Sequence, residues 1–146
     1  MKRFSMFLVS CVFIGLAAFA VPFDFMPNYE PFLSVKVQGY ETTPLEVSDG
    51  ETLHVEATFR VPRDMYAANV RCYCTFESFY REELLGENAG LVNGSFPITA
   101  GQEVTLSVEI PFYVELPAGL PVKLYICIDD VLYAPVVGGV LDVITR

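Results

Sequence analysis

Apolar and polar residues alternate with a period of two along most of this chain, and that pattern leaves few folds open. Leu33, Val35 and Val37 alternate with Ser34, Lys36 and Gln38. Leu53, Val55, Ala57, Phe59 and Val61 alternate with Thr52, His54, Glu56, Thr58 and Arg60. The same holds for Val70, Cys72, Cys74 and Phe76, for Val104, Leu106, Val108 and Ile110, and for Val122, Leu124, Ile126 and Ile128. A last strand is expected over Val140–Ile144. Period two is the signature of a strand with one buried and one wet face, and such strands pair antiparallel. Turn residues separate them at Ser48-Asp49-Gly50, Val61–Asp64, Asn93-Gly94, Ala100-Gly101, Pro117–Gly119 and Gly138-Gly139. Short strands punctuated in this way predict an all-β, two-sheet antiparallel β-sandwich. Glu77–Leu91 is the irregular stretch, read as a loop, a helical turn or a further strand.

The N-terminus follows another rule. Lys2 and Arg3 precede the uncharged run Phe4–Leu16, and Ala18-Phe19-Ala20 fits a small-x-small cleavage site. Met1–Ala20 therefore reads as a signal peptide cut after Ala20, with a single domain over 21–146. The rivals are a membrane anchor over Phe4–Phe23 and a lipobox at Leu8–Cys11. Cleavage removes Lys2 and Arg3 but none of the 18 acidic residues, so the net charge moves from -9 to -11. An acidic chain has no electrostatic grip on nucleic acid or on an anionic lipid surface. An aromatic content of 14% within 53% hydrophobic residues excludes disorder.

Export would place Cys72, Cys74 and Cys127 where disulfides are permitted. Cys72 and Cys74 lie two apart on one strand, at the edge of disulfide reach, so either one of them pairs with Cys127 or all three are small buried hydrophobes. Their spacing does not make a zinc site. No catalytic motif is present, no cofactor is implied, and the chain is not expected to be an enzyme. His54, the single histidine, falls on a polar face. Asp129-Asp130 reads as a strand end rather than a calcium site, which needs six to eight oxygens. Asn93-Gly94-Ser95 is both a glycosylation sequon and a favoured hairpin turn.

Two stretches carry a family resemblance. One is Leu33–Gln38 with Thr43–Phe59. The other is Asn93–Leu106, running through Val108–Pro111 to Leu116–Ile126. Phe96-Pro97-Ile98, the Ala100-Gly101 turn, an alternating strand, the Leu116–Gly119 turn and a second alternating strand follow in the order found in the ML lipid-recognition domain. The chain resembles that family, nearest its phosphatidylglycerol/phosphatidylinositol transfer branch, with the Niemann-Pick sterol carrier further off. Phe96 stands where the family has Cys, and no Cys lies near the start of the mature chain or in Leu132–Val137.

The resemblance implies an immunoglobulin-like sandwich whose sheets part around a lipid tail or sterol, in a secreted or endolysosomal protein. The inward faces supply an apolar cavity lining in Val35, Val37, Leu53, Val55, Phe59, Val70, Phe76, Leu106, Val108, Leu124 and Ile126, with small residues Ala57, Cys72 and Cys74 among them. The likeness puts the mouth near Phe96, Pro97, Ile98 and Val104, with Phe79 and Tyr80 at the rim. The expected protein is a monomeric carrier of phospholipid or sterol that touches membranes briefly and binds no nucleic acid. The other reading is an exported immunoglobulin-like adhesion or accessory module that pairs through a sheet edge and holds no lipid.

Overall fold

The computed structural model describes residues 19–76, 81–87, 97–115, 117–130 and 134–146. The strands, in chain order, are β1 (Glu30–Pro31), β2 (Ser34–Val37), β3 (Leu45–Val47), β4 (Glu51–Arg60), β5 (Asn69–Phe76), β6 (Arg81–Glu87), β7 (Glu103–Phe112), β8 (Pro121–Asp129) and β9 (Pro135–Thr145). One sheet runs β2-β4-β7, and the other runs β1-β9-β8-β5-β6, with β3 also paired to β9. The two sheets face each other as a β-sandwich, and no helix occurs among the described residues.

The alternation drives this arrangement. Across the β4–β7 ladder, Leu53 stands opposite Ile110, Val55 opposite Val108, Ala57 opposite Leu106 and Phe59 opposite Val104. Every one of these side chains is buried. A one-residue slip would turn the whole set outward, so burial fixes the register. In the facing sheet, Cys72 stands opposite Ile126, Cys74 opposite Leu124 and Phe76 opposite Val122. Each buried Val, Leu, Ile or Phe is worth about 1.5–3 kcal/mol, so the two inward faces supply the main driving force.

The ends are closed by local chemistry. Asp49 accepts hydrogen bonds from the Val114 and Glu115 amides at 2.6 and 2.9 Å, tying the β3–β4 turn to the chain leaving β7. These two donors stabilise its ionised form and hold its carboxyl below the usual carboxylate range. At the opposite end, Met65 and Ile98 exchange backbone hydrogen bonds of 2.9 and 2.8 Å.

β9 departs from expectation. It begins at Pro135, five residues before the strand read from the sequence, and Gly138-Gly139 lies inside it rather than in a turn. The rule of one wet face per strand also fails here, since Val136 through Leu141 are buried without a break. The cause is the segment Ala20–Phe32. Asp24 and Val140 exchange hydrogen bonds of 2.8 and 3.0 Å, and β1 and β3 pair with the same β9 edge in parallel, above and below that bridge. The two glycines leave room for this segment on both faces of the strand. A Cβ on Gly138 would meet Met26 Sδ at 2.8 Å and Tyr29 Cδ2 at 3.1 Å. A Cβ on Gly139 would meet Phe32 Cδ2 at 3.0 Å and Phe23 Cδ2 at 3.2 Å.

Alanine at position 139 should therefore destabilise the protein although the change adds β-propensity. Displacing two packed rings is expected to cost about 1–3 kcal/mol. Urea unfolding of Gly139→Ala should show a lower midpoint at unchanged slope; an unchanged or raised midpoint would refute the close packing.

Candidate functional site

The space between the sheets is lined from both sides by the alternating strands. Val35 and Val37 come from β2, Leu53, Val55 and Phe59 from β4, and Leu106 and Val108 from β7. Val70 and Phe76 of β5 and Leu124 and Ile126 of β8 face them. All of these are buried and belong to one contiguous hydrophobic cluster. Ala57, Cys72 and Cys74 are buried in the same cluster and present little bulk. Burial pushes the Cys72 thiol up to about 12, so it is a neutral S–H at physiological pH. Among the described residues the buried polar or charged residues are Asp129 and Thr145, and neither is one of the inward-facing residues named above. The described interior is apolar, and its ionisable side chains are the Cys72 and Cys74 thiols.

Of the residues expected at a mouth, Val104 and Ile98 are buried and Pro97 is exposed. Phe79, Tyr80, Phe96 and the sequon Asn93 lie outside the described residues. His54 is on the outward face of β4, with Nδ1 3.7 Å from Glu109 Oε2 and both side chains substantially exposed. No group of three or more His, Cys, Asp or Glu among the described residues is placed to hold a metal ion.

The pairing of Cys127 with Cys72 or Cys74 is corrected by the register. Cys127 stands opposite Arg71, and Ile126 stands opposite Cys72, so Cys127 points to the outer face while Cys72 and Cys74 point between the sheets. All three are thiols, and no disulfide joins them.

The outer face of the β5-β8-β9 sheet carries a polar cluster that sequence reasoning did not find. Asp129 is only 2% exposed and accepts a 2.7 Å hydrogen bond from the Tyr29 hydroxyl. Arg71 Nη2 lies 3.7 Å from Asp129 Oδ2 and 3.6 Å from Cys127 Sγ. The Cys127 thiol donates to the Arg71 carbonyl at 3.4 Å. Among the described residues Arg71 Nε is buried without a hydrogen-bond partner. Tyr73 and Tyr125 stack at 4.7 Å beside the cluster, with the Arg71 guanidinium 5.2 Å from the Tyr73 ring centre. Met26, Cys127 and Val140 form the small apolar floor. The signal was present in the sequence. Cys127 and Asp129 share the phase of polar Lys123 and Tyr125, but their burial depends on the distant Met26–Tyr29 turn, which no local pattern announces.

Fold and interior together define a two-sheet sandwich with an uncharged, apolar centre. Among solved structures the chain is similar to the crystal structure of a Niemann-Pick type C2 protein from Japanese carpenter ant, with a TM-score of 0.68 over 86% of this chain and 99% of that one. At 9% identity the likeness is one of fold. No protein-family model and no curated protein sequence matches the chain.

The outer cluster makes the fold sensitive to alkali. Burial, and then the nearby Cys127, push the Tyr73 hydroxyl up to about 12 from its ordinary 10. A raised value means the neutral phenol is favoured in the folded state. Its contribution is fully present below pH 10 and is lost as pH rises toward about 12. Urea midpoints measured across that window should fall for the wild type and fall less for Tyr73→Phe; parallel curves would remove Tyr73 from the account.

Proposed function

We propose that this protein is an exported carrier that holds the apolar part of a phospholipid or a sterol between its two sheets. The observation that carries the reading is the uncharged interior in a fold shared with a Niemann-Pick type C2 protein. The ML-like order of strands and turns in the sequence supports it independently. Each methylene taken from water is worth about 0.8 kcal/mol, so a single acyl tail supplies ample affinity without a polar anchor. Ala57, Cys72 and Cys74 provide the low bulk at which the facing sheets part most readily. On this reading the lining is the set of inward residues on β2, β4, β5, β7 and β8. The mouth is assigned to Pro97, Ile98 and Val104, with Phe79, Tyr80 and Phe96, which lie outside the described residues, joined to it by the sequence resemblance alone.

The remaining features fit the same account. Met1–Ala20 directs export and is cut after Ala20, and the protein works as a monomer in a secreted or endolysosomal compartment. A chain of net charge -9, more acidic still after cleavage, is not drawn to anionic bilayers by charge. Membrane contact is therefore brief and rests on apolar rim residues. On this reading the ligand leaves as it arrived.

Native mass spectrometry of the purified protein tests the reading directly. A co-purifying phospholipid or sterol, or uptake of one from vesicles, is the expected result. Repeated failure to retain or take up either would sink it and favour the lipid-free binding module. Leu106→Trp and Val108→Trp fill the interior from β7. Each should lower lipid uptake at least tenfold while circular dichroism still reports a β-sandwich; undiminished uptake would overturn the assigned lining.

A further inference from the structure

We propose that the segment Val21–Phe32 is a detachable side wall of the sandwich, latched by Tyr29 on Asp129, and that its release opens the interior to ligand on the β2 side, opposite the β7 side that carries the proposed mouth. The claim of release stands on geometry alone, while the claim of ligand passage rests on the lipid reading above.

The segment crosses from one sheet to the other and back. Val21 donates to the Val35 carbonyl of β2 at 2.8 Å, Asp24 pairs with Val140 of β9, and Leu33 returns to the first sheet by donating to the Thr58 carbonyl at 2.7 Å. It thus spans the gap between the β2 edge and the β9 edge. Phe32 plugs this gap from within, edge-on to Phe23 at 6.3 Å and to Phe59 at 6.2 Å. Phe32 is buried, so the wall contributes part of the interior surface.

Its attachment differs in kind from that of the main ladders. β4 and β7 pair along ten residues each, whereas β1 contributes two. Elements with short pairing and few ladder bonds open at lower free energy than the core strands do. Beside the backbone bonds at Val21 and Asp24 and the two-residue pairing of β1, a side-chain latch secures this one. Met26 and Tyr29 are brought together by a turn in which the Tyr29 amide donates to the Met26 carbonyl at 3.2 Å, with Asn28 at φ 72°. Pro27 and Asn28 suit the two central positions of such a turn. Met26 then lies over Cys127 and Gly138, while the Tyr29 hydroxyl reaches the buried Asp129. When the latch opens, Asp129 keeps Arg71 as a partner at 3.7 Å, so the open state leaves no isolated buried charge. Gly138 and Gly139 make the seat into which the wall fits on both faces of β9.

The cysteines report the motion. Cys127 lies beneath Met26 on the outer face, while Cys72 and Cys74 lie between the sheets. Alkylation by N-ethylmaleimide under native conditions, read by peptide mass spectrometry, should modify Cys127 faster than the other two. Tyr29→Phe removes the latch bond and should speed Cys127 modification about tenfold, the factor that corresponds to roughly 1.4 kcal/mol, without changing the order of the three. Three rates rising together would mean global unfolding, and no change in any would mean no latch; either overturns the proposal. Should Tyr29→Phe fail to fold, hydrogen exchange of the wild type decides instead. The Asp24 and Val140 amides should exchange faster than those of the β4–β7 ladder, and equal protection overturns the detachable wall. Transfer of a pyrene-labelled phosphatidylglycerol from phosphatidylcholine vesicles tests passage. Faster uptake and faster release in Tyr29→Phe support it. Unchanged transfer with a freed Cys127 overturns the passage and leaves the lipid reading intact. No uptake by either protein overturns both passage and lipid reading, while the thiol rates still report the wall.

Discussion

Both edges and both faces of β9 are occupied, and the sandwich is organised around that strand. One edge pairs with β8 from Pro135 to Ile144. The other is shared by β1, the Asp24 bridge and β3 in succession. An unpaired edge is a template for pairing with other chains, and here three short segments close what one long strand usually would. Covering the faces demands more. The outer side of a sandwich sheet is normally wet, so the N-terminal segment must bring its own apolar groups to keep Val140 and Cys127 dry. Two adjacent glycines make this geometrically feasible, because any side chain there would hold the segment off the sheet.

That covering has an electrostatic consequence. Asp129 would be a solvated strand-end carboxylate if the Met26–Tyr29 turn were elsewhere. Under the turn it is 2% exposed and depends on Tyr29 and Arg71 for its partners. A buried charge of this kind is a weak source of net stability, since desolvation offsets most of the attraction, but it penalises any packing that leaves it unpaired. The cluster therefore specifies where the N-terminal segment sits more than it stabilises the sheet beneath. Cys127 belongs to the same logic: its alternation phase marks it as outward, and its environment makes it interior.

The sequence pattern made most of the sandwich legible. Alternation located β2, β4, β5, β7 and β8 within one or two residues, and the inward residues it assigned are buried except Leu33, which precedes β2 and is half exposed. Turn chemistry was right where a glycine has positive φ, as at Gly50, Gly101 and Gly119. It failed at Gly138-Gly139, where the same residue type serves close packing instead. β3 and β1 were not legible because they pair in parallel with a strand about a hundred residues away and are too short to show a period. The polar cluster was invisible for a related reason. Each member looks like an ordinary wet-face residue, and only the return of the N-terminal segment removes the water.

The two sheets thus present unlike outer surfaces on a common interior. The β2-β4-β7 sheet turns Thr58 and Thr105, Arg60 and Glu103, and His54 and Glu109 outward as exposed cross-strand pairs. Such pairs are worth little individually, yet they keep a face wet and single-sided. The β5-β8-β9 sheet turns aromatic rings and a covered acid outward. In the first sheet β4 and β7 are joined by a ten-residue ladder, whereas in the second the far edge of β9 is held by three short pieces. Short pairing opens at lower free energy than a long ladder, so the asymmetry that lets a short N-terminal segment complete the fold also leaves that edge the less protected of the two.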